Sequence, residues 1–294
     1  MHRRLLTDKI VRFLLAAAGV FSIFILAGIF ILLFYNGIKA FKTISLSSFF
    51  LSLHWNPSAY GASTYGVLQL LWSSVLVTIG SMIIAIPLGI GVAAYLAEIA
   101  PPWLRTIIKS VIEILAGIPS VAIGFVGIVL IGPAIAKFFH LSNGFNALNG
   151  SILLAFMALP TIISVSEDAL SAVPSSFKEA SYALGGDKWI TLKRVVLPAA
   201  LSGVIAGSIL GFGRAIGETM TVLMVTGNAT AMPHGFFDSV RTLTATIAIE
   251  LGEVPYGSPH YYSLFVLGSI LFLISLVINF LAERLAARFR YKNI

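Results

Sequence analysis

The stretch from residue 166 to residue 198, SEDALSAVPSSFKEASYALGGDKWITLKRVVLP, is a polar segment with an ordered plan between two apolar runs. The proline and two serines at 174–176 are typical of a helix start, and the S-x-x-E spacing that ends at Glu179 is that of a capping box. Gly185-Gly186 favours the left-handed turn that ends a helix, and Asp187 is placed to cap a second one. The sequence therefore predicts a helix–turn–helix between two apolar segments.

The composition identifies the chain as an integral membrane protein. It has 294 residues, of which 58% are hydrophobic and 11% are charged, whereas a soluble protein carries about 25% charged residues. Little surface is left for a separate soluble domain. Cysteine is absent, which excludes disulfides, thiolate metal sites and cysteine nucleophiles.

Six apolar stretches have the length of a membrane-spanning helix, which needs roughly 20 residues. The first has no acidic or basic residue and is longer than the apolar region of about 7–15 residues in a cleavable signal, so we expect an uncleaved helix. The sequence predicts an all-α protein whose spans are 13–37, 67–96, 113–136, 148–166, 199–226 and 261–282.

The lysines and arginines set the orientation, because positively charged loops stay in the cytoplasm. Of the 19 such residues, only Lys39, Lys42, Lys137 and Arg241 fall outside when both termini are cytoplasmic. The net charge of +7 thus follows membrane topology and does not indicate nucleic-acid binding. The long outside loops 39–66 and 227–260 either dock a partner or simply connect helices, and the second contains a predicted short amphipathic helix.

The polar segment resembles the EAA loop of ABC importer permeases. The resemblance rests on Glu179-Ala180-Ser181, on Gly185 six residues after Glu179, and on the ending Leu197-Pro198; Ser181 stands where the family usually has alanine. It implies that Glu179, Ala180 and Gly185 dock in a groove of an ATPase subunit and that the loop at about 174–198 carries its motion to the membrane. The alternative for Glu179 is helix capping alone.

Other stretches resemble the phosphate-specific (Pst) importer permeases, the PstC type more than the PstA type. They are Trp55-Asn56-Pro57, YLAEIAPPWLR (95–105), EILAGIPSVAIGFVG (113–127) and GFGRAIGETMTV (211–222). The resemblance implies the type I importer architecture in the cytoplasmic (inner) membrane of a bacterium or archaeon. It also implies a permease core at 67–294 after an N-terminal segment at 1–66.

The same resemblance implies three kinds of protein partner: a second, PstA-like permease, a PstB-like ATPase dimer, and an extracytoplasmic PstS-like phosphate-binding protein. No G-x-x-x-x-G-K-[ST] phosphate loop occurs in the chain, so ATP and Mg are expected on the ATPase. This chain is then a non-catalytic subunit without a cofactor, surrounded by membrane lipid. Its five histidines, His2, His54, His140, His234 and His260, are scattered without ligand spacing, so no metal site is expected.

Pro119 interrupts the third predicted span. It would kink or break a helix, although neighbouring helices can satisfy the freed backbone groups. A broken helix beside a transport pathway is one interpretation, and ordinary close packing through Gly117, Gly124 and Gly127 is the other.

Arg214 and Glu218 are charges inside the fifth apolar run. On one continuous helix they lie about 40° apart and share a face with Gly203, Gly207 and Gly211, a small-residue pattern that permits close helix packing. A charge facing lipid costs at least a few kcal/mol, so we expect this face to meet protein or water. Three interpretations remain open: a pair within the helix, bonds across the interface with a second permease, or a lining of the translocation path in which Arg214 binds an oxyanion.

Two functions of other classes compete with the importer permease. One is an ion-coupled secondary carrier in which Glu218 titrates, and the other is a membrane scaffold or sensor that does not transport. The carrier leaves the cytoplasmic helix–turn–helix unexplained, and copurification with an ATPase together with ATP-dependent uptake would separate all three functions. Charge and hydropathy alone also allow sulfate, molybdate or another oxyanion in place of phosphate.

Overall fold

The computed structural model describes residues 2–57 and 63–288, and within them the chain is almost entirely helical. Tyr60 and Gly61 of the predicted outside loop 39–66, and Arg290 and Lys292 among the basic residues predicted on the cytoplasmic side, lie outside the described residues. A two-stranded antiparallel hairpin, β1 (Trp55–Asn56) with β2 (Thr64–Tyr65), lies in the first external loop. The helices are α1 (His2–Ala40), α2 (Leu46–Leu51), α3 (Leu68–Glu98), α4 (Pro102–Ala116), α5 (Ser120–Val126), α6 (Gly132–Phe138), α7 (Ala147–Ser171), α8 (Ser175–Ala183), α9 (Lys188–Thr191), α10 (Leu197–Ala199), α11 (Leu201–Ile216), α12 (Met220–Val225), α13 (Leu243–Glu250) and α14 (Pro259–Arg288). One π-helical turn, Gly127–Ile131, joins α5 to α6, and another, Leu192–Val196, joins α9 to α10.

The helices confirm an all-helical membrane architecture. Five stretches within the described residues are long and apolar enough to cross a bilayer, namely Val11–Ala40, Leu68–Glu98, Ser120–Phe138, Ala147–Ser171 and Pro259–Leu285. A sixth is added when the segment 188–199 and α11, which meet at an angle of 72°, are taken as one span. Pro160 leaves α7 continuous.

The third span begins later than predicted. The expected helix from residue 113 is broken, because α4 ends at Ala116 and α5 begins only at Ser120. Pro119 has an extended backbone with ψ of 138° and precedes the first turn of α5, a position where its missing N–H is no loss. The prediction of one helix over 113–136 is therefore wrong at its start, and the break at Pro119 is confirmed.

The fifth span is broken as well, at a place where the sequence predicted continuity over 199–226. α11 ends at Ile216 and α12 starts at Met220. Gly217 follows the last helical residue, and the carbonyl of Glu218 accepts a hydrogen bond of 2.8 Å from the Thr244 hydroxyl instead of one from the helix. Glycine and this competing tertiary contact account for the interruption.

The core is organised around α7, which packs against α3 and α11. Apolar clusters lie at three levels: one at mid-height around α7, one between the external loops and α14, and one at the cytoplasmic ends of α3, α4, α7 and α11. The span of α1 is exposed along its apolar length and contacts α14. This order places the polar loop of residues 174–198 directly below the ends of α7 and α11.

Candidate coupling and translocation site

The first helix of the polar loop begins without the predicted capping box. α8 starts at Ser175, Pro174 is its N-terminal flanking residue, and no side chain caps it. The predicted pairing of Ser176 with Glu179 is therefore wrong. Proline presets the backbone for a helix start and needs no hydrogen bond from its own nitrogen, so it replaces the box.

The end of α8 and the start of α9 are as predicted. Gly185 has φ of +83°, a conformation that costs other residues about 1–2 kcal/mol, and its N–H donates to the Tyr182 carbonyl at 2.9 Å. The Asp187 carboxylate accepts a hydrogen bond of 2.7 Å from the Ile190 N–H and caps α9. The hydroxyls of Ser181 and Thr191 share a hydrogen bond of 2.8 Å, so the serine that replaces the family alanine joins the two helices.

The loop presents an apolar surface to the cytoplasm. Leu184 is 90% exposed and Trp189 is 65% exposed, and large exposed apolar groups that lie together indicate an interaction site. Glu179, Ala180, Gly185 and Pro198 are exposed, and Leu197 is half-buried. Glu179 makes no hydrogen bond or ion pair with any residue that the structure describes.

The glycine stripe of α11 lies against α7 of the same chain. A Cβ atom on Gly203 would overlap the Ala169 side chain, and one on Gly207 would lie 3.1 Å from Cβ of Val165. A Cβ atom at Gly211 would lie 2.6 Å from Cγ1 of Ile162, well inside van der Waals contact. The three glycines thus allow the close approach of two helices.

Replacing Gly211 by alanine should destabilise the protein, because overpacking a tight contact costs about 1–3 kcal/mol. The matched control is Gly213→Ala two residues along α11, where a Cβ atom meets nothing within 4 Å and helix propensity favours alanine by about 0.5–1 kcal/mol. Thermal unfolding in detergent should give a lower apparent Tm for G211A and an unchanged or higher one for G213A. Equal Tm values for the two variants would contradict the tight packing.

Arg214 and Glu218 do not share the environment of the glycines. Arg214 is exposed in the last turn of α11, and Glu218 is half-buried beyond the helix end. Both residues are described, and no ion pair joins them, so the interpretation of a pair within one helix is not what the structure shows. Because the helix ends at Ile216, the helical phase that placed both charges on one face does not reach Glu218.

Glu218 is held at the break by hydrogen bonds to two elements. Its carboxylate accepts a hydrogen bond of 3.2 Å from the Thr221 N–H of α12, and its carbonyl accepts one from Thr244 of α13. A cleft of about 10 Å³ lies beside it, lined by Ser74, Thr78 and other hydroxyl groups. This volume suits one water molecule, so the cleft is closed to a tetrahedral oxyanion in this conformation.

The breaks of the third and fifth spans lie side by side. The Thr221 hydroxyl donates a hydrogen bond of 3.0 Å to the carbonyl of Ser120, the first residue of α5. A Cβ atom at Gly124 would lie 2.7 Å from the Met224 sulfur, so α5 and α12 are in close contact. Interrupted helices at membrane depth expose backbone polar groups only where protein or a pathway surrounds them. The two adjacent breaks therefore mark a candidate site for a pathway.

One carboxylate that sequence analysis did not single out joins the external loops. Glu250 accepts hydrogen bonds from the Trp55 indole at 3.0–3.1 Å and from Arg241 at 2.8 Å, and its other oxygen lies 2.8 Å from Nε2 of His260. Trp55 is buried. The loop that contains the hairpin is thereby fixed to α13 and to the start of α14.

Another missed carboxylate lies at the cytoplasmic end of α7. Glu167 is 1% exposed and forms ion pairs with Arg105 and Lys109 of α4, the second at 2.7 Å. The hydrogen bond to Glu167 raises the pKa of Lys109, so this amine stays charged at physiological pH. Close by, Lys178 of α8 pairs with Glu98 of α3 at 2.6 Å. The sequence signal that could have found this cluster was the position of Glu167, a charged residue at the end of an apolar run.

The family follows from the sequence once this architecture is known. Residues 85–291 match the family described as the binding-protein-dependent transport system inner membrane component, which is more than half of the chain. The chain belongs to this family. It is a multi-pass inner membrane permease of an ABC importer, a non-catalytic subunit without a cofactor of its own, and ATP is hydrolysed by a separate chain. A self-contained ion-coupled carrier and a scaffold that does not transport are thereby set aside.

Relatives that match nearly the whole chain agree with this assignment, and two solved structures share the fold. The permease is 39% identical over 279 residues to the probable ABC transporter permease protein YqgH of Bacillus subtilis, covering 94% of this chain and 90% of that one. It is 35% identical over 307 residues to the phosphate transport system permease protein PstC of Mesorhizobium japonicum, with coverage of 98% and 92%. A chain of a bacterial alginate ABC transporter superposes with a TM-score of 0.62 at 13% identity, covering 94% of this chain and 96% of that one. A chain of the methionine transporter MetNI gives 0.60 at 19% identity, covering 76% and 95%. These two structures support the fold alone.

The described residues contain no group of three histidine, aspartate or glutamate side chains placed to hold a metal ion.

Proposed function

We propose that this permease imports inorganic phosphate as the PstC-type transmembrane subunit of a phosphate importer. The observation that carries this proposal is the similarity over nearly the whole chain to a protein named as a phosphate transport permease, at 35% identity. The assembly would contain a PstA-like permease, a PstB-like ATPase dimer and an extracytoplasmic PstS-like phosphate-binding protein.

The cytoplasmic loop is the proposed contact with the ATPase. The loop presents the exposed carboxylate of Glu179 and the small exposed residues Ala180 and Gly185. Leu197-Pro198 lead from the loop into the fifth span. The exposed apolar groups near Gly185 need a partner surface, which an ATPase groove provides. Asp187 and the Ser181–Thr191 bond hold this docking element in shape.

The two charges at the end of α11 are the proposed contacts of the translocation path or of the interface with the second permease. Arg214 is exposed, its guanidinium makes no hydrogen bond or ion pair with a described residue, and such a group binds tetrahedral oxyanions through paired hydrogen bonds. Glu218 lies beyond the helix end and partly offsets the positive charge, so that phosphate is released rather than retained. Gly203, Gly207 and Gly211 serve only to pack the helix that carries them.

The division of the chain follows from this assignment. We place the permease core at 67–294, which includes the family match at 85–291, and treat 1–66 as an added helix and external loop. Residues 1–66 contribute α1, which lies on α14, and the hairpin loop that Glu250 fixes to α13.

Uptake by the reconstituted importer tests the substrate. The permease, its partner permease and the ATPase are placed in proteoliposomes with the binding protein, and ATP-dependent entry of radioactive phosphate is measured. We expect uptake that requires ATP and that excess sulfate or molybdate does not inhibit. A complex with a catalytically inactive ATPase is the control. ATP-dependent uptake of radioactive sulfate or molybdate, with no uptake of phosphate, would assign the importer to another oxyanion.

A further inference from the structure

The buried carboxylate of Glu167 lies between the cytoplasmic loop and the broken third span. It belongs to the last turns of α7, and only residues 172–174 separate α7 from α8. Its oxygens bind Arg105 and Lys109, which lie one helical turn apart on α4, and Arg105 also donates a hydrogen bond of 3.0 Å to the Ser171 hydroxyl. The polar face of α4 is therefore fixed to the end of α7.

α4 reaches from this ion cluster to the break in the third span. Fifteen residues of helix are about 22 Å long, and the helix ends at Ala116, four residues before Ser120. Its other face carries the exposed apolar side chains of Trp103, Ile107, Val111 and Ile114. Because the Glu167 ion pairs and a few apolar contacts near Ile112 hold α4 to the rest of the chain, α4 follows a displacement of α7.

The contacts continue from the break to Glu218. The carbonyl of Ser120 accepts the hydrogen bond from the Thr221 hydroxyl, and the N–H of Thr221 donates to the Glu218 carboxylate. A series of chain connections, ion pairs and hydrogen bonds thus leads from α8 through residues 172–174 to Glu167, from Glu167 to α4, and from α4 through residues 117–119 to the candidate pathway. This series is separate from the direct covalent route through α9, α10 and α11.

We propose that Glu167 is a positioning residue that couples the ATPase-docking loop to the break at Ser120 and to Glu218, by fixing α4 to the end of α7. The inference rests on the proposed coupling function of α8 and concerns the route by which movement is transmitted. It does not depend on which oxyanion is carried. Spatial continuity alone does not establish coupling, so the experiment must observe movement at both ends of the route.

Single cysteines report that movement, because the natural chain contains none. A bimane fluorophore is placed in turn at Leu184 beside α8, at Leu210 on α11 and at Val121 on α5, all exposed positions in this chain. The labelled permease is assembled with cysteine-free partner subunits in proteoliposomes, and fluorescence is recorded before and after trapping with Mg-ATP and vanadate. We expect trapping to change the signal at all three positions.

Glu167→Gln should reduce the response at Val121 by about five- to tenfold, the size of an ordinary coupling between sites. The responses at Leu184 and Leu210 should persist, because docking and the α11 route are intact. Asp168→Asn is the matched control, since this neighbouring carboxylate is 73% exposed and, among the described residues, pairs with Lys109 alone, at 3.5 Å; its responses should equal those of the wild type. If E167Q does not assemble, the pair Arg105→Gln and Lys109→Gln on the partly exposed face of α4 should give the same selective loss at Val121.

The outcomes separate the inference from the proposed function. An undiminished Val121 response in E167Q, or in the Arg105–Lys109 double variant, overturns the role of Glu167. Equal loss at all three positions also overturns it, because Glu167 then serves only assembly. A wild-type complex in which trapping leaves Leu184 unchanged contradicts the proposed coupling function of α8 instead.

Discussion

Replacing Arg214 by glutamine should lower ATP-dependent phosphate uptake by about 10- to 100-fold while the importer still assembles. A hydrogen bond to a charged group contributes about 1.5–3 kcal/mol, and about 1.4 kcal/mol corresponds to a factor of ten. Arg214 is exposed in the last turn of α11, and its side chain makes no hydrogen bond or ion pair with a described residue, so its replacement should not disturb the fold. Initial rates of radioactive phosphate uptake into proteoliposomes measure the effect.

One further substitution distinguishes the paired donors of the guanidinium from its positive charge, and another serves as a control. Arg214→Lys keeps the charge but loses the paired donors, so we expect an intermediate rate. Lys137→Gln removes a charge from an exposed position on the external side and should leave uptake unchanged. Uptake by R214Q at the wild-type rate, with the complex intact, would exclude Arg214 from the pathway. Loss of the partner permease on purification would place it at the subunit interface.

Much of the fold could be predicted from short-range sequence patterns. Spans are long apolar runs, and the turn at Gly185 and the cap at Asp187 depend on neighbours within a few residues, so composition and spacing were sufficient for them. Pro119 likewise announced the break before α5. The prediction of a capping box was wrong because the sequence offered two ways to start the helix. Pro174 starts it without a hydrogen bond from a side chain, so the pairing of Ser176 with Glu179 does not form.

The break after Ile216 depended on contacts distant in sequence. Gly217 alone does not end a helix in an apolar run, and the sequence gives no sign that the Thr244 hydroxyl binds the Glu218 carbonyl. Continuity was therefore the better expectation from local propensity, and the shared face of Arg214 and Glu218 followed from it. In the structure Arg214 is exposed, whereas the Glu218 carboxylate is held at a helix interruption, so the two charges do not share one helix face.

The two ion clusters could not be predicted from the sequence, because their members are also distant along the chain. Glu250 meets Trp55 across 195 positions, and Glu167 meets Lys109 across 58. A charge near the end of an apolar run signals a partner, because burial without one is unfavourable, yet it does not say which residue the partner is. Both clusters join elements that are distant along the chain, the hairpin loop to α13 and α14 outside and α4 to α7 inside.

Reversing the charge of Glu179 should uncouple the permease from its ATPase. Glu179 is exposed on α8 and forms no hydrogen bond or ion pair with a described residue, so Glu179→Arg should leave the fold of this chain intact. Losing one partner of a buried charged pair at an interface costs about 2–5 kcal/mol, which predicts at least about a tenfold loss of uptake. Copurification of the ATPase with the tagged permease should fall in parallel.

Substitutions within α8 distinguish docking from helix stability. Ser176→Ala should change neither uptake nor Tm, because the hydroxyl of Ser176 does not cap the helix. Glu179→Gln should lower uptake without a change in the Tm of the isolated permease, since exposed substitutions of this kind alter stability by less than about 0.5 kcal/mol. A fall in Tm for both S176A and E179Q, with the ATPase still bound, would restore capping as the role of Glu179. Docking requires the opposite pattern, in which the ATPase dissociates from a permease of unchanged stability.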